Sequence, residues 1–292
     1  MKQTILILLL TALFASCSTQ KREERQTEDL LPEWTFTSGI EGPATDRQGN
    51  VYAVNYGREG TIGIVRPDGS HELFMTLPEG STGNGIRFDR DGFMHIADYT
   101  GHNILRVNIE QKKIISFTHE AGMHQPNDIA LSPDGNIYAS DPDWANETGQ
   151  IWLITPDGKV TLLESDMGTT NGIEVSPGGK TLYVNESVQL KVWAYDILPD
   201  GTVANKRLFH HFTGYGMDGM RCDIRGNLYV CRYDKGTVAM LNPEGALIRE
   251  IRLAGAKPSN ITFGGADRRR CYVTLQDRGC FETFTAEFPG RE

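Results

Sequence analysis

Six residues of this chain recur at one register and all carry a side-chain oxygen: Glu41, Asn84, Asn127, Asn171, Asp218 and Ser259, about 43 residues apart. Taken singly, Asn-Gly, Asn-Asp and Asp-Gly are ordinary turn formers whose side chains serve their own backbone. Taken together they read as a ring of oxygen donors in which Glu41 and Asp218 bring two carboxylates. Confining two carboxylates at one depth is costly without a cation. Carboxylate and amide oxygens, with no His or Cys in the set, suit a hard divalent ion. Ca²⁺ is preferred, with Zn²⁺, Mg²⁺ and Mn²⁺ as alternatives.

The elements that must hold such a ring surround it. Six segments align on these residues: EGPATDRQGNVYAVN from Glu41, NGIRFDRDGFMHIAD from Asn84, NDIALSPDGNIYASD from Asn127, NGIEVSPGGKTLYVNE from Asn171, DGMRCDIRGNLYVCR from Asp218 and SNITFGGADRRRCYVTL from Ser259. In most copies apolar residues stand two and four places after the first, as in Ile86 and Phe88, Ile129 and Leu131, Ile173 and Val175. A Gly-containing turn then leads into a second alternating strand, so each segment is one predicted β-hairpin. Between the hairpins lie stretches such as GTIGIVRPDGSHELFM and GTVAMLNPEGALIREI, two more strands about a Pro-Asp-Gly or Pro-Glu-Gly turn. Four strands per repeat and six repeats predict an all-β, six-bladed β-propeller with four antiparallel strands per blade. The strand EWTFTSG at Glu33 is expected to complete the last blade beside CFETFTAEF and close the ring, leaving no long free edge.

The first strand of each propeller blade lines the central channel, which sets the six oxygen donors at one depth around the axis. The second strand runs back to the same end, so a further set is expected at the same mouth: Asn55, Asp98, Asp141, Glu186, Arg232 and Leu275. A polar mouth with one arginine above a metal suits a hydroxylated or carboxylated ligand. The same residues, as loop ends, equally suit a solvated rim. His124 is a candidate base beside the site, although a lone loop histidine more often packs or is solvated.

Composition agrees with many short elements: the 292 residues include 32 Gly and 13 Pro. A formal charge of -9 with no basic stripe argues against a nucleic-acid partner. The N-terminus, MKQTILILLLTALFASC, has the layout of a signal peptide over residues 1–17 and is too short for a convincing membrane span. Phe14-Ala15-Ser16-Cys17 resembles a bacterial lipoprotein signal, with Cys17 as the lipidated residue. That predicts an exported, periplasmic protein held to the membrane through an N-terminal lipid anchor, with ordinary secretion as the alternative. Residues 18–32 are polar and charged in both signs and read as a flexible tether, with the propeller over 33–292. An oxidising compartment would permit disulfides among Cys222, Cys231, Cys271 and Cys280, but no C-x-x-C spacing marks a metal or redox site. The four are read as small core residues.

The chain resembles the gluconolactonase and senescence marker protein (regucalcin) family, with a more distant likeness to diisopropyl fluorophosphatase and paraoxonase. The motifs that carry the resemblance are Glu41-Gly42-Pro43 in the first repeat, PNDIALSPDGNIYASDP, TNGIEVSPGGKTLYV and MDGMRCDIRGNLYV, in that order and at that spacing. The resemblance implies a divalent ion, usually Ca²⁺, held by Glu41, Asn171 and Asp218, with Asn127 a further ligand or substrate contact. It also implies hydrolysis of sugar lactones or related esters. In such a reaction the metal polarises the lactone carbonyl and Asp218 takes a proton from the attacking water. Asn127, Asn84, Asp141, Glu186 and Arg232 are the candidate substrate contacts. Where the animal branch of the family carries an arginine, two residues before Asn127, this chain has Gln125, and Arg232 is the candidate replacement for that charge.

Two other classes compete: a non-catalytic propeller that binds a glycan or protein on its rim, and a metal-dependent aryl esterase or phosphotriesterase. The pair Glu41 and Asp218 argues against the first, because a binding scaffold needs no two channel carboxylates. Asp98, Asp141 and Glu186 argue against the apolar mouth of the second. No Gly-x-Ser-x-Gly elbow or phosphate-binding Gly loop appears, which disfavours a serine nucleophile.

Overall fold

The computed structural model describes residues 27–291, and the expected signal peptide, Cys17 and the first part of the expected tether lie outside the described residues. Within them the chain forms six four-stranded antiparallel sheets, each built from strands consecutive in sequence except the last. The innermost strands are Phe36–Thr45, Gly83–Phe88, Ile129–Leu131, Thr170–Val175, Met220–Cys222 and Pro258–Gly264. The six-bladed propeller expected from the repeat is the observed fold.

The period-2 pattern decides how the blades pack. Residues two places after each ring position, such as Ile86, Ile129, Ile173, Met220 and Ile261, are fully buried. Each belongs to a different apolar cluster, and such a cluster joins neighbouring blades, as Tyr52 and Val54 of the first join Ile86 and Ile96 of the second. Burying these side chains at roughly 2 kcal/mol each makes every blade depend on its neighbours. The sixth cluster packs Phe36 and Ile40 of the first blade on Tyr272 and Phe281 of the last and so completes the circle.

The strand that closes the ring differs from the expected one. Glu28–Asp29 pairs antiparallel with Glu282 and Thr283 as the outermost strand of the last blade, and the Thr27 hydroxyl donates to the Glu282 carboxylate at 2.8 Å. The stretch from Thr27 onward is therefore part of the propeller rather than the end of a tether. The expected closing strand EWTFTSG instead runs from Phe36 into the innermost strand of the first blade, where Phe36 pairs with Tyr56. Only its start touches the last blade, through backbone hydrogen bonds from Trp34 N and Phe36 N to Arg278 and Gly279. Phe36 is decisive, because its ring is buried edge-on against both Tyr56 and Phe281 and pins this segment in the seam between the two blades.

The four cysteines of the propeller are buried free thiols. Cys222 pairs in register with Leu228, not with Cys231, as the turn at Arg225-Gly226 requires.

Candidate active site

The six oxygen donors gather at the mouth end of the inner strands, and the residue after each explains how closely. A Cβ on Gly42, which has φ +60°, would sit 2.0 Å from the Asn84 carbonyl oxygen, and one on Gly219 would sit 2.0 Å from the Asn260 side chain. Glycine at these positions lets neighbouring inner strands touch. Gly85 N donates to the Asn127 carbonyl at 2.8 Å, Gly219 N to that of Ser259 at 2.7 Å, and the Ser259 hydroxyl to that of Ile40 at 2.9 Å. The Asn-Gly and Asp-Gly pairs thus serve close approach around the axis rather than turns.

Glu41, Asn127, Asn171 and Ser259 are buried, while Asn84 is partly open and donates its amide to the Asn127 carbonyl at 3.0 Å. Two features mark the ring as electrostatically incomplete. Among the described residues, the side-chain carbonyl oxygens of Asn127 and Asn171 are buried without a hydrogen-bond partner. Such an acceptor ordinarily costs about 1–3 kcal/mol. Both carboxyls are also pushed up. Burial, then the charge of Asp128, push the Glu41 carboxyl up to about 8. Burial, then the charge of Glu41, raise Asp218 well above the usual carboxylate range, against a hydrogen bond from Asn171. A hard cation would meet orphaned amide oxygens and relieve both carboxylates, so Glu41, Asn127, Asn171 and Asp218 fit the expected donor set.

Beneath the ring lies a residue that sequence reading missed. Asp128 is fully buried, 3.0 Å from Arg87 Nη1 and 3.6 Å from Arg221 Nη1. Asn260 links it upward by donating to both Asp128 and Glu41 at 3.3 Å. Arg221 spans the channel, donating to the carbonyls of Met220 and Pro43 and to the Asn260 side chain. Further down, Glu174 pairs with Arg291 from the C-terminal segment, which crosses the far end and also donates to the Leu131 carbonyl at 3.0 Å. The sequence did hold a signal: at the second position of the repeat Gly occurs four times, and Asp128 and Asn260 are the exceptions.

The side chains of the second expected set bond mainly to their own loops. The Asp141 carboxylate accepts from His124 N, Gln125 N, Gln150 Nε2 and Trp152 Nε1 at 2.6–2.9 Å. Asp98 does the same for Ser81, Thr82, Gly101 and Asn103, and Glu186 accepts from Gly168 N at 2.9 Å. Asn55 joins the Gly39 carbonyl to Gly60 N, and Leu275 is core. Arg232 is 2 % exposed, its guanidinium 3.6 Å from the Phe212 ring centroid and donating to the carbonyls of Gly214, Tyr215 and Gly216. Burial lowers its pKa to about 10. These side chains face the loop backbones, because a polar group at a buried strand end must satisfy itself or the adjacent turn. Asp141, Glu186 and Arg232 fasten the loops beside the mouth.

The mouth is furnished by other residues. Tyr233 follows Arg232, hydrogen-bonds Gln276 at 2.8 Å and has its hydroxyl pushed up to about 12 by burial and then by the charge of Asp218. On the opposite flank, Tyr99, Met123, His124, Gln125 and Trp144 line a depression of about 570 Å³.

The comparisons with known proteins agree with this geometry. The chain is 24% identical over 261 residues to the gluconolactonase of Zymomonas mobilis, covering 77% of this chain and 72% of that protein. It is 27% identical over 257 residues to diisopropyl-fluorophosphatase of Loligo vulgaris, covering 77% and 82%. Among solved structures, a calcium-binding protein, regucalcin, from Agrobacterium tumefaciens superposes with a TM-score of 0.76 at 20% identity, over 90% of this chain and 93% of that one. The family profile described as SMP-30/Gluconolactonase/LRE-like region matches residues 34–277, nearly the whole propeller, and the chain belongs to that family of lactonase-type hydrolases.

Proposed function

We propose that this protein is a metal-dependent hydrolase that opens sugar lactones, with Glu41, Asn127, Asn171 and Asp218 holding a divalent ion, Ca²⁺ in the first instance. The carrying observation is the union, at one mouth, of two carboxyls pushed up by burial and two amide oxygens buried without partners among the described residues. Calcium binding in a solved relative and gluconolactonase activity in a curated one support the same reading. Bound there, a divalent ion supplies Lewis-acid polarisation of the lactone carbonyl. Asp218, its charge restored in that environment, accepts the proton of the attacking water as general base. Asn84, partly open at the mouth, donates to or accepts from a ring hydroxyl, and Asn127 shares that face. Below them Asn260 bridges Glu41 and Asp128 and holds the carboxylates apart.

The test is acid release from glucono-1,5-lactone and other aldonolactones with and without chelator. Chelation should abolish turnover and Ca²⁺ restore it; turnover indifferent to chelation removes the metal from the reaction. Likeness to diisopropyl-fluorophosphatase favours a second reading, phosphotriester or P–F hydrolysis at the same ring, which a fluorophosphate substrate in that screen would reveal. The lipoprotein-type sequence Phe14–Cys17 supports a periplasmic, lipid-anchored location. Palmitate labelling that survives Cys17→Ser would exclude it.

A further inference from the structure

Asn260 stands where four of the six blades have glycine, at the position after the ring residue, and the other exception is Asp128. The two belong to the sixth and third blades, which lie opposite one another, so their contact at 3.3 Å crosses the axis. Glycines in the adjacent blades leave them room: a Cβ on Gly219 would meet the Asn260 side chain at 2.0 Å, and one on Gly85 the Asp128 carboxylate at 2.5 Å. The inner strand of the sixth blade shifts register between Pro258 and Asn260, and a bulge of that kind re-aims a side chain, here into the channel. The Thr274 hydroxyl then holds the Asn260 backbone, accepting from its N–H at 3.0 Å and donating to its carbonyl at 3.2 Å.

The side-chain amide has one favoured orientation. Its Oδ1 accepts from Ile261 N at 2.9 Å and from Arg221 Nη1 at 3.3 Å, so Nδ2 is turned to Glu41 and Asp128 and donates to each at 3.3 Å. The opposite flip would aim an amide oxygen at two carboxyl groups and an NH₂ at two donors. Asp128 is itself fixed, accepting from Arg87 Nη1 at 3.0 Å and from Ile129 N at 2.9 Å. Glu41 Oε2 accepts from Gly42 N, so both oxygens of this carboxyl are already bound to the chain.

We propose that Asn260 is a positioning residue for the ring: it locks the Glu41 carboxylate to the arginine-held Asp128 and thereby favours Ca²⁺ over Mg²⁺. The inference rests on the divalent-ion reading of the ring. Groups that hold a metal ligand from behind fix its orientation, and losing one typically costs about 10–100-fold in metal affinity. Mg²⁺ demands a near-ideal octahedron at about 2.0–2.1 Å, whereas Ca²⁺ accepts irregular oxygens at about 2.3–2.6 Å. Donors that stand on different blades, with Glu41 tethered from below, resist contraction around the smaller ion.

Calorimetric titration of the metal-free protein with Ca²⁺ and with Mg²⁺ tests this without any turnover. Asn260→Ala should raise the Ca²⁺ Kd at least about tenfold and the Mg²⁺ Kd by clearly less, so that the preference narrows. Asn260→Ser, too short to span the two carboxyl groups, should behave in the same way and serves if the alanine variant does not fold. Ile261→Val trims the core beside Asn260, leaves the amide in place and should keep both constants close to those of the parent. An unchanged Ca²⁺ constant in the Asn260 variants, an equal loss for both ions, or the same loss in Ile261→Val overturns the proposal, while Ca²⁺ binding by the parent keeps the metal reading. A parent that binds Mg²⁺ more tightly than Ca²⁺ also overturns it, and one that binds neither ion overturns both.

Discussion

The two ends of the central channel handle buried charge in opposite ways. In the lower half two buried acids meet arginines of the chain itself: Asp128 lies between Arg87 and Arg221, and Glu174 meets Arg291. In the upper half Glu41 and Asp218 sit among amide oxygens, the charge of Glu41 raises Asp218, and Arg221 only partly offsets the rise of Glu41. The lower layer is charge-paired within the chain itself and contributes shape. The upper layer is left short of positive charge, which is what a ligand or ion can supply.

Breaking the upper layer should be felt most in activity. Asp218→Asn is expected to lower lactone turnover by about 10³-fold or more, in the range typical of losing a general base, with unchanged circular dichroism; near-full activity would end the proposed role. Breaking the lower layer should be felt in stability. Arg87→Met removes the nearer of the two arginines of Asp128, leaving Arg221 at 3.6 Å, and should cost about 3 kcal/mol in urea unfolding. The contrast sharpens if Glu41→Gln, measured in chelator, leaves the protein as stable as the parent or more so, since it removes a carboxyl whose ionised form burial and the charge of Asp128 disfavour.

A pH series separates the layers again. In chelated protein Glu41 keeps its proton up to about 8, against an ordinary 4.5 in the unfolded chain, so the folded state binds the extra proton between those values. Its contribution is therefore present below about 4.5 and lost as pH rises through about 8. Thermal melts in chelator should fall across that window, and saturating Ca²⁺ should flatten or reverse the slope. The smallest effect belongs to the rim: Arg232→Ala should cost about 1–3 kcal/mol through lost loop hydrogen bonds and the Phe212 contact. KM for the lactone should stay nearly constant, and a tenfold rise would return Arg232 to the substrate.

Much of the upper layer was legible because its position is periodic. Glu41, Asn127, Asn171 and Asp218 fall at one place in a hairpin repeat, and the fold converts that place into one depth in the channel. Legibility failed where a side chain had a choice of direction. Asp141, Glu186 and Arg232 sit at strand ends near the mouth, as the hairpins require, yet each turns to the backbone of the neighbouring loop. Strand position fixes where a Cα lies, while the direction of a long polar side chain depends on which unsatisfied N–H or carbonyl groups happen to surround it.

By itself, then, the repeat determined the blade count, the strand order within the blades and the identity of the oxygen-donor ring, because all of these follow from local alternation, turn chemistry and spacing. Only the tertiary structure decided that Glu28–Asp29 closes the circle, that Asp128 lies between two arginines, and that Arg291 crosses to Glu174. Those contacts join residues far apart in sequence, and their partners are selected by charge balance inside a closed channel, a property that exists only once all six blades have met.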